Sequence, residues 1–203
     1  VSERENRLLV VFSRNPVAGR VKTRLAASIG DREALAVYEH LRDITERETS
    51  KAECDRAVYY SDFIPENDLF LKSDTCALLQ SGADLGERMH RAFIDAFTLG
   101  YRHVVLIGTD CPDLSAFLID RAFDALAEFD VVLGPARDGG FYLIGLKHAV
   151  PELFLGRRWS TSAVLTESLN IIRSLKKEYT LLPALSDIDT IDDLLEWGLW
   201  KQN

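Results

Sequence analysis

Four short apolar runs constrain this chain more than any other feature. Leu8–Ser13 (LLVVFS), Arg56–Ser61 (RAVYYS), Val104–Gly108 (VVLIG) and Val131–Gly134 (VVLG) are too short for helices and rich in Val, Leu or Tyr. Such runs suit strands buried on both faces of a parallel sheet. Thr75–Gln80 (TCALLQ) is a weaker fifth candidate. Between them the apolar period changes from continuous to helical. After Asp31, read as an N-cap, apolar residues fall at Ala34, Val37, Tyr38, Leu41 and Ile44, which makes a one-sided helix. After Asp84 the same spacing recurs at Leu85, Met89, Ala92, Phe93, Ala96 and Phe97 and closes at Gly100. Ser115–Ala127, Thr161–Leu175 and Ile191–Trp200 read as further helices. This alternation predicts an α/β sandwich with a mainly parallel sheet. Phe141–Leu146 follows Gly139 and Gly140 so closely after the Val131 run that it predicts an antiparallel strand, making the sheet mixed. No repeat or Pro/Gly/Ser-rich linker interrupts the pattern, so residues 1–203 are expected to form a single domain.

The overall charge excludes some partners. Thirty-two acidic against 24 basic side chains leave a formal charge of -8, which argues against nucleic acid or an anionic membrane as a partner. Cys54, Cys76 and Cys111 are too few and too scattered for a disulfide framework or a cysteine-based zinc site. VSERENR carries no apolar signal region, and no apolar run approaches the roughly 18 residues of a membrane span. A soluble protein of the reducing cytoplasm is expected.

Against that acidic background the loop SRNPVAGRVKTR stands out. It follows the first strand and carries Arg14, Arg20, Lys22 and Arg24 around a flexible Gly19, just before a helix start. In open α/β sheets ligands bind outside the carboxyl ends of strands, and helix N-termini favour anions. The loop therefore reads as a polyphosphate cradle, with a solvated basic turn as the plainer alternative. It is not a Walker A loop, because Val21 rather than Gly precedes Lys22.

The other strand ends carry carboxylates. Asp110 follows VVLIG, Asp138 lies in ARDGG, and Asp187 and Asp189 lie in SDIDT. Mg²⁺ usually takes one or two protein carboxylates and completes its shell with water and phosphates, so Asp110 with one of the others suits a metal–polyphosphate site. Asp113 is read as the cap of the following helix. Cys111 lacks a histidine to activate it and reads as a packed apolar residue. His40, His90, His103 and His148 have no zinc-ligand spacing. Trp159, Trp197 and Trp200 read as core or interface residues, which leaves room for a homodimer. Phe141, Tyr142 and the stretch Arg157–Thr161 are candidates for an acceptor pocket, with Arg157 and Arg158 either holding an anionic acceptor or lying as solvated charges.

FSRNPVAGRVKTRLA, GADLGERM, IGTDCPDL, GPARDGGFYLIGL and DIDTIDDL, in this order, resemble the radical-SAM/selenodomain-associated transferases, also labelled DUF glycosyltransferase-like. That family lies in the nucleotide-diphospho-sugar transferase (GT-A) superfamily, and the resemblance spans about Leu8 to Trp197. More distantly the chain is similar to the 2-phospho-lactate and molybdenum-cofactor guanylyltransferases. The resemblance implies a Rossmann-like three-layer α/β/α sandwich of the nucleotide-diphospho-sugar transferase fold, with Arg14, Gly19, Arg20, Lys22 and Arg24 near the nucleotide phosphates. Lys22 matches the lysine that such enzymes use on the triphosphate, and Asp110 matches their metal-binding aspartate. The segment Gln80 to Gly86, with Gly82 and Leu85, resembles their nucleobase loop. DIDTIDDL is similar to a C-terminal signature that supplies a second metal ligand from Asp187 or Asp189. Ile191 stands where that signature usually has proline, and the first loop has one glycine where the molybdenum-cofactor enzymes have several.

Three functions are open to such a chain. In the leading one, Mg²⁺ or Mn²⁺ held by Asp110 and Asp187 or Asp189 assists nucleotidyl transfer from an NTP to a phosphorylated small molecule. Lys22, Arg14, Arg20 and Arg24 would then neutralise the leaving pyrophosphate. In the second, an NDP-sugar donates a glycosyl group to a hydroxyl, with Asp138 as base. In the third, the chain is a non-catalytic nucleotide-binding module that docks a partner enzyme.

Overall fold

The structure is a computed structural model that describes residues 6–198. Its order is β1 (Arg7–Ser13), α1 (Thr23–Ile29), α2 (Asp31–Thr49), β2 (Asp55–Tyr60), β3 (Thr75–Leu79), α3 (Leu85–Thr98) and β4 (His103–Ile107). There follow α4 (Ala116–Glu128), β5 (Val131–Pro135), β6 (Phe141–Leu146), α5 (Val164–Ser174), β7 (Tyr179–Leu181) and α6 (Ile191–Trp197). The seven strands form one sheet in the order β3-β2-β1-β4-β6-β5-β7, parallel except for β6, which runs antiparallel to β4 and β5.

The apolar runs are continuous because both faces of the sheet are covered. Leu8, Val10 and Phe12 of β1 point into a core with Met89 and Phe93 of α3 and Ile172 of α5. Leu9 and Val11 point the other way, against Ile119, Phe123 and Leu126 of α4. This is the three-layer, mainly parallel α/β/α arrangement expected from the sequence. A third cluster joins Leu25 of α1, Ala34 and Leu41 of α2, and Ile188 and Leu194 around α6. Among the described residues no helix is long and apolar enough to cross a membrane.

Several local expectations are corrected. Asp31 does not cap its helix; it is the first residue of α2, whose N-cap is Gly30, because the separate short helix α1 precedes it. Asp113 does not cap α4. Ser115 does, its hydroxyl accepting from the Leu118 N–H, since it lies directly before the first helical residue. Asp84 caps α3 as expected, accepting from the Glu87 N–H. The helix expected from Thr161 begins only at Val164, and three-residue β7 carries too short a pattern to be read from sequence. Trp200 lies outside the described residues.

Candidate functional site

A cleft of about 820 Å³ opens at the carboxyl end of the parallel strands. Its lining combines the loop after β1, the ends of β2 and β3, the first turn of α3, the loop after β4 and the β5–β6 turn. Of the residues singled out from sequence, Arg14, Gly19, Arg20, Gln80, Leu85, Asp110, Asp138 and Asp187 line it. Lys22, Arg24, Gly82, Gly86 and Asp189 do not.

The first loop divides its charges. Arg14 and Arg20 are exposed on the cleft wall, and among the described residues neither side chain has a hydrogen-bonded or ion-paired partner. Lys22 turns inward. Its side chain is only 4% exposed, and its ammonium lies 2.5 Å from Asp110 Oδ1 and 3.0 Å from Asp189 Oδ1. Burial works against that charge, but the two carboxylates override it and hold the ammonium above the ordinary lysine value. Arg24 remains in solvent with a guanidinium nitrogen 4.0 Å from Asp189 Oδ2. Thus two of the four cations expected at a polyphosphate reach the cleft, and the reason is tertiary: Asp189 lies 167 positions away in sequence.

The loop is held by buried polar contacts. The Tyr38 hydroxyl donates to the Arg14 carbonyl at 3.1 Å, accepts from the Arg14 N–H at 2.9 Å and lies 3.1 Å from Thr109 Oγ1. Burial, then the charge of Asp110, pushes the Tyr38 hydroxyl pKa up. Asn15, itself buried, donates from Nδ2 to the Phe63 carbonyl at 2.8 Å and accepts from the Asp62 N–H at 3.0 Å, fastening the end of β2 to the loop.

At the floor, burial and then repulsion from Asp110 push the Asp187 carboxyl up to about 7, with Lys22 only partly offsetting the effect. Among the described residues no three His, Cys, Asp or Glu side chains gather closely enough to hold a metal by themselves. Asp110 and Asp187 form a two-carboxylate set of the kind Mg²⁺ takes, and the unrelieved repulsion on Asp187 is the kind a cation removes. Asp189 fits the role less well, because it does not line the cleft and has both Lys22 and Arg24 beside its oxygens.

The opposite wall is aromatic. Phe141 and Trp159 meet edge to face at 6.3 Å beside Ser160, Thr161 and Asp138. Asp138 closes its turn by accepting from the Gly140 N–H at 2.8 Å, so the common-turn reading and a place in the cleft hold together. Gly86 is structural: a Cβ there would collide with the Phe154 carbonyl and the Trp159 ring. Gly82 uses its carbonyl to accept from Arg88 Nε at 3.2 Å. Arg157 is not available to an acceptor. It is enclosed and donates to the Leu153 and Val164 carbonyls and to Ser168 Oγ at 2.7 to 3.0 Å. Cys111 is packed as expected, its thiol pushed up to about 12 by burial and then by Asp187.

Arg88 and Tyr38 are cleft residues that sequence reasoning did not place there, while Phe141, Tyr142 and, of the stretch Arg157–Thr161, Trp159, Ser160 and Thr161 line the cleft as expected of an acceptor pocket. Arg88 left a signal: Asp84, Leu85, Arg88 and Met89 share one face of the first turn of α3, and all four line the cleft. Tyr38 left none, since its spacing matches the core positions of α2.

With this geometry established, similarities to known proteins gain meaning. Residues 44–161 match the bacterial family described as "Uncharacterized protein conserved in bacteria (DUF2064)". No curated protein matches the sequence. A protein from Desulfovibrio desulfuricans G20, provisionally assigned as a nucleotide-diphospho-sugar transferase, is 33% identical with a TM-score of 0.88, covering 94% of this chain and 85% of that one. A cytidylyltransferase from Leptospira borgpetersenii shares the fold at 14% identity and a TM-score of 0.60, over 97% of this chain and 89% of its own. Rv0371C of Mycobacterium tuberculosis, solved with manganese, aligns at 14% identity and a TM-score of 0.54, over 94% of this chain and 97% of its own.

Proposed function

Because the chain belongs to the DUF2064 family, we propose that it is a transferase acting on an activated nucleotide, moving a nucleotidyl group from an NTP to a small-molecule acceptor with a divalent cation. One observation carries this reading: the guanidinium groups of Arg14 and Arg20, which have no partner among the described residues, share a cleft with the carboxylates of Asp110 and Asp187. Guanidinium N–H groups match phosphate oxygens in geometry and charge. Arg14 and Arg20 orient the polyphosphate and offset the charge that collects on departing pyrophosphate. Asp110 and Asp187 would hold Mg²⁺ or Mn²⁺, which when bound neutralises phosphate oxygens. The fold shared with a cytidylyltransferase and with a manganese-bound protein supports both parts of the reading.

The third cation of the lining, Arg88, keeps its terminal nitrogens for a phosphorylated acceptor, while Phe141 and Trp159 shape the wall beside Asp138. A second reading is glycosyl transfer from an NDP-sugar to a hydroxyl, with Asp138 taking the proton. It is favoured by the number of phosphate-facing cations, two rather than four, which suits a diphosphate.

A thermal-shift screen against the four NTPs and a set of NDP-sugars, with and without Mg²⁺ or Mn²⁺, tests the proposal. A ligand at 100 times its dissociation constant adds about 2.7 kcal/mol, or roughly 5 to 11 °C for a chain of this size. A metal-dependent shift with one NTP is expected. A shift with NDP-sugars alone selects the second reading, and normal turnover by Asp110→Asn removes Asp110 from the machinery. A shift with none of these ligands overturns both readings.

A further inference from the structure

Lys22 departs from expectation in two independent ways. Its backbone is left-handed, with φ 48°, at the N-cap of α1, where its side chain makes no capping bond. Glycine or a small polar residue suits such a position better. Backbone strain of this kind persists where the surroundings over-determine it. The determinant here is the ammonium, which bridges Asp110 from the loop after β4 and Asp189 from the segment before α6. The adjoining cations Arg14 and Arg20 project into the cleft, so contact with incoming phosphate does not require Lys22.

A divalent cation on Asp110 would stand beside this enclosed ammonium, with little solvent between the two like charges to screen them. We infer that Lys22 is the resident counter-ion of Asp110 and competes with the divalent cation. Metal alone then binds the free protein weakly, and binds well only together with a polyphosphate, whose negative charge offsets Lys22. Lys22 is a positioning residue that couples metal entry to nucleotide entry. The inference rests on the metal-dependent reading above.

The test is equilibrium dialysis of Mn²⁺ against the nucleotide-free protein, with and without inorganic tripolyphosphate on both sides of the membrane. Lys22→Met is expected to bind Mn²⁺ alone at least ten-fold more tightly than the wild type. Lys22→Arg, which keeps the charge, should stay as weak as the wild type. Tripolyphosphate should raise the wild-type affinity for Mn²⁺ at least ten-fold and that of Lys22→Met much less. Lys22→Gln, which loses the charge but keeps a donor for both carboxylates, serves as a second variant should Lys22→Met fail to fold. Unchanged or weaker Mn²⁺ binding by the uncharged variants overturns the inference, and a loss of metal-free tripolyphosphate binding overturns it in favour of direct phosphate contact. Mn²⁺ bound by no form, even with tripolyphosphate, overturns the metal-dependent reading along with it.

Discussion

The backbone N–H of Ile188 donates to the carbonyl of Asp110 at 3.0 Å. This bond ties the segment before α6 to the end of β4, while the Ile188 side chain sinks into the cluster formed by Leu25, Ala34 and Leu41. The residues on either side of Ile188 thereby meet Asp110: Asp187 lines the cleft with it, and Asp189 joins it through Lys22. One main-chain bond and one buried apolar side chain thus fasten the segment that carries Asp187 and Asp189 beside the end of β4.

The free guanidinium groups should carry polyphosphate affinity. Arg14→Gln and Arg20→Gln are each expected to weaken tripolyphosphate binding about ten-fold, the scale of one charge-assisted contact. The loss should shrink at high salt, because both groups are exposed. Isothermal titration calorimetry at two ionic strengths checks it, and equal affinities would remove these arginines from the site.

Arg42 and Asp68 form an enclosed ion pair at 2.5 Å, their side chains 3% and 6% exposed. Arg42 Nε also donates to Ser13 Oγ at the end of β1, and the Tyr60 hydroxyl donates to Asp68 at 2.8 Å. Asp68→Ala strands a buried guanidinium and should cost about 3–5 kcal/mol in urea unfolding. The double variant Arg42→Met/Asp68→Leu should cost clearly less, since no charge is then left unpaired.

Asp193 should make stability depend on acid pH. Burial raises its pKa, but bonds from the Thr190 hydroxyl and from the Asp189 and Thr190 N–H groups outweigh that and set the folded value below the ordinary 3.8. Ionised Asp193 therefore stabilises the fold above the unfolded carboxyl's pKa, and the contribution is lost as pH falls through the lower folded value. Asp193→Ala is expected to cost about 1 kcal/mol at pH 7, with the difference from wild type shrinking below about pH 4. Thermal melts across that range provide the measurement.

Gly139 holds the β5–β6 turn against the start of α5. Its φ is +93°, a Cβ would overlap the Ser162 carbonyl, and its own carbonyl accepts from the Leu165 N–H at 2.9 Å. Gly139→Ala should destabilise by about 1–3 kcal/mol and alter the Trp159 fluorescence as the aromatic wall shifts. An unchanged melt and spectrum would show that the wall does not depend on this turn.

What the sequence determined by itself was the sheet and the edge at which chemistry collects. A strand covered on both faces must be apolar at successive positions, so β1, β2, β4 and β5 were visible as runs, and the polar residues directly after them had to lie at the carboxyl edge. Asp110 and Asp138 were legible for that reason, whereas Asp187 follows the unread β7 and was legible through the resemblance carried by DIDTIDDL. Tertiary structure alone decided which charges face the cleft. Arg14, Arg20, Lys22 and Arg24 are equivalent as cations on one loop, yet Lys22 is withdrawn by Asp110 and Asp189, and Arg157 is withdrawn by carbonyls around α5. The partners of Lys22 are brought near by folding, and no local spacing encodes them, whereas those of Arg157 lie only 4 to 11 positions away, in and before α5. A buried ion needs its counter-charge close by, so the packing of distant segments selects which side chain stays free for a ligand.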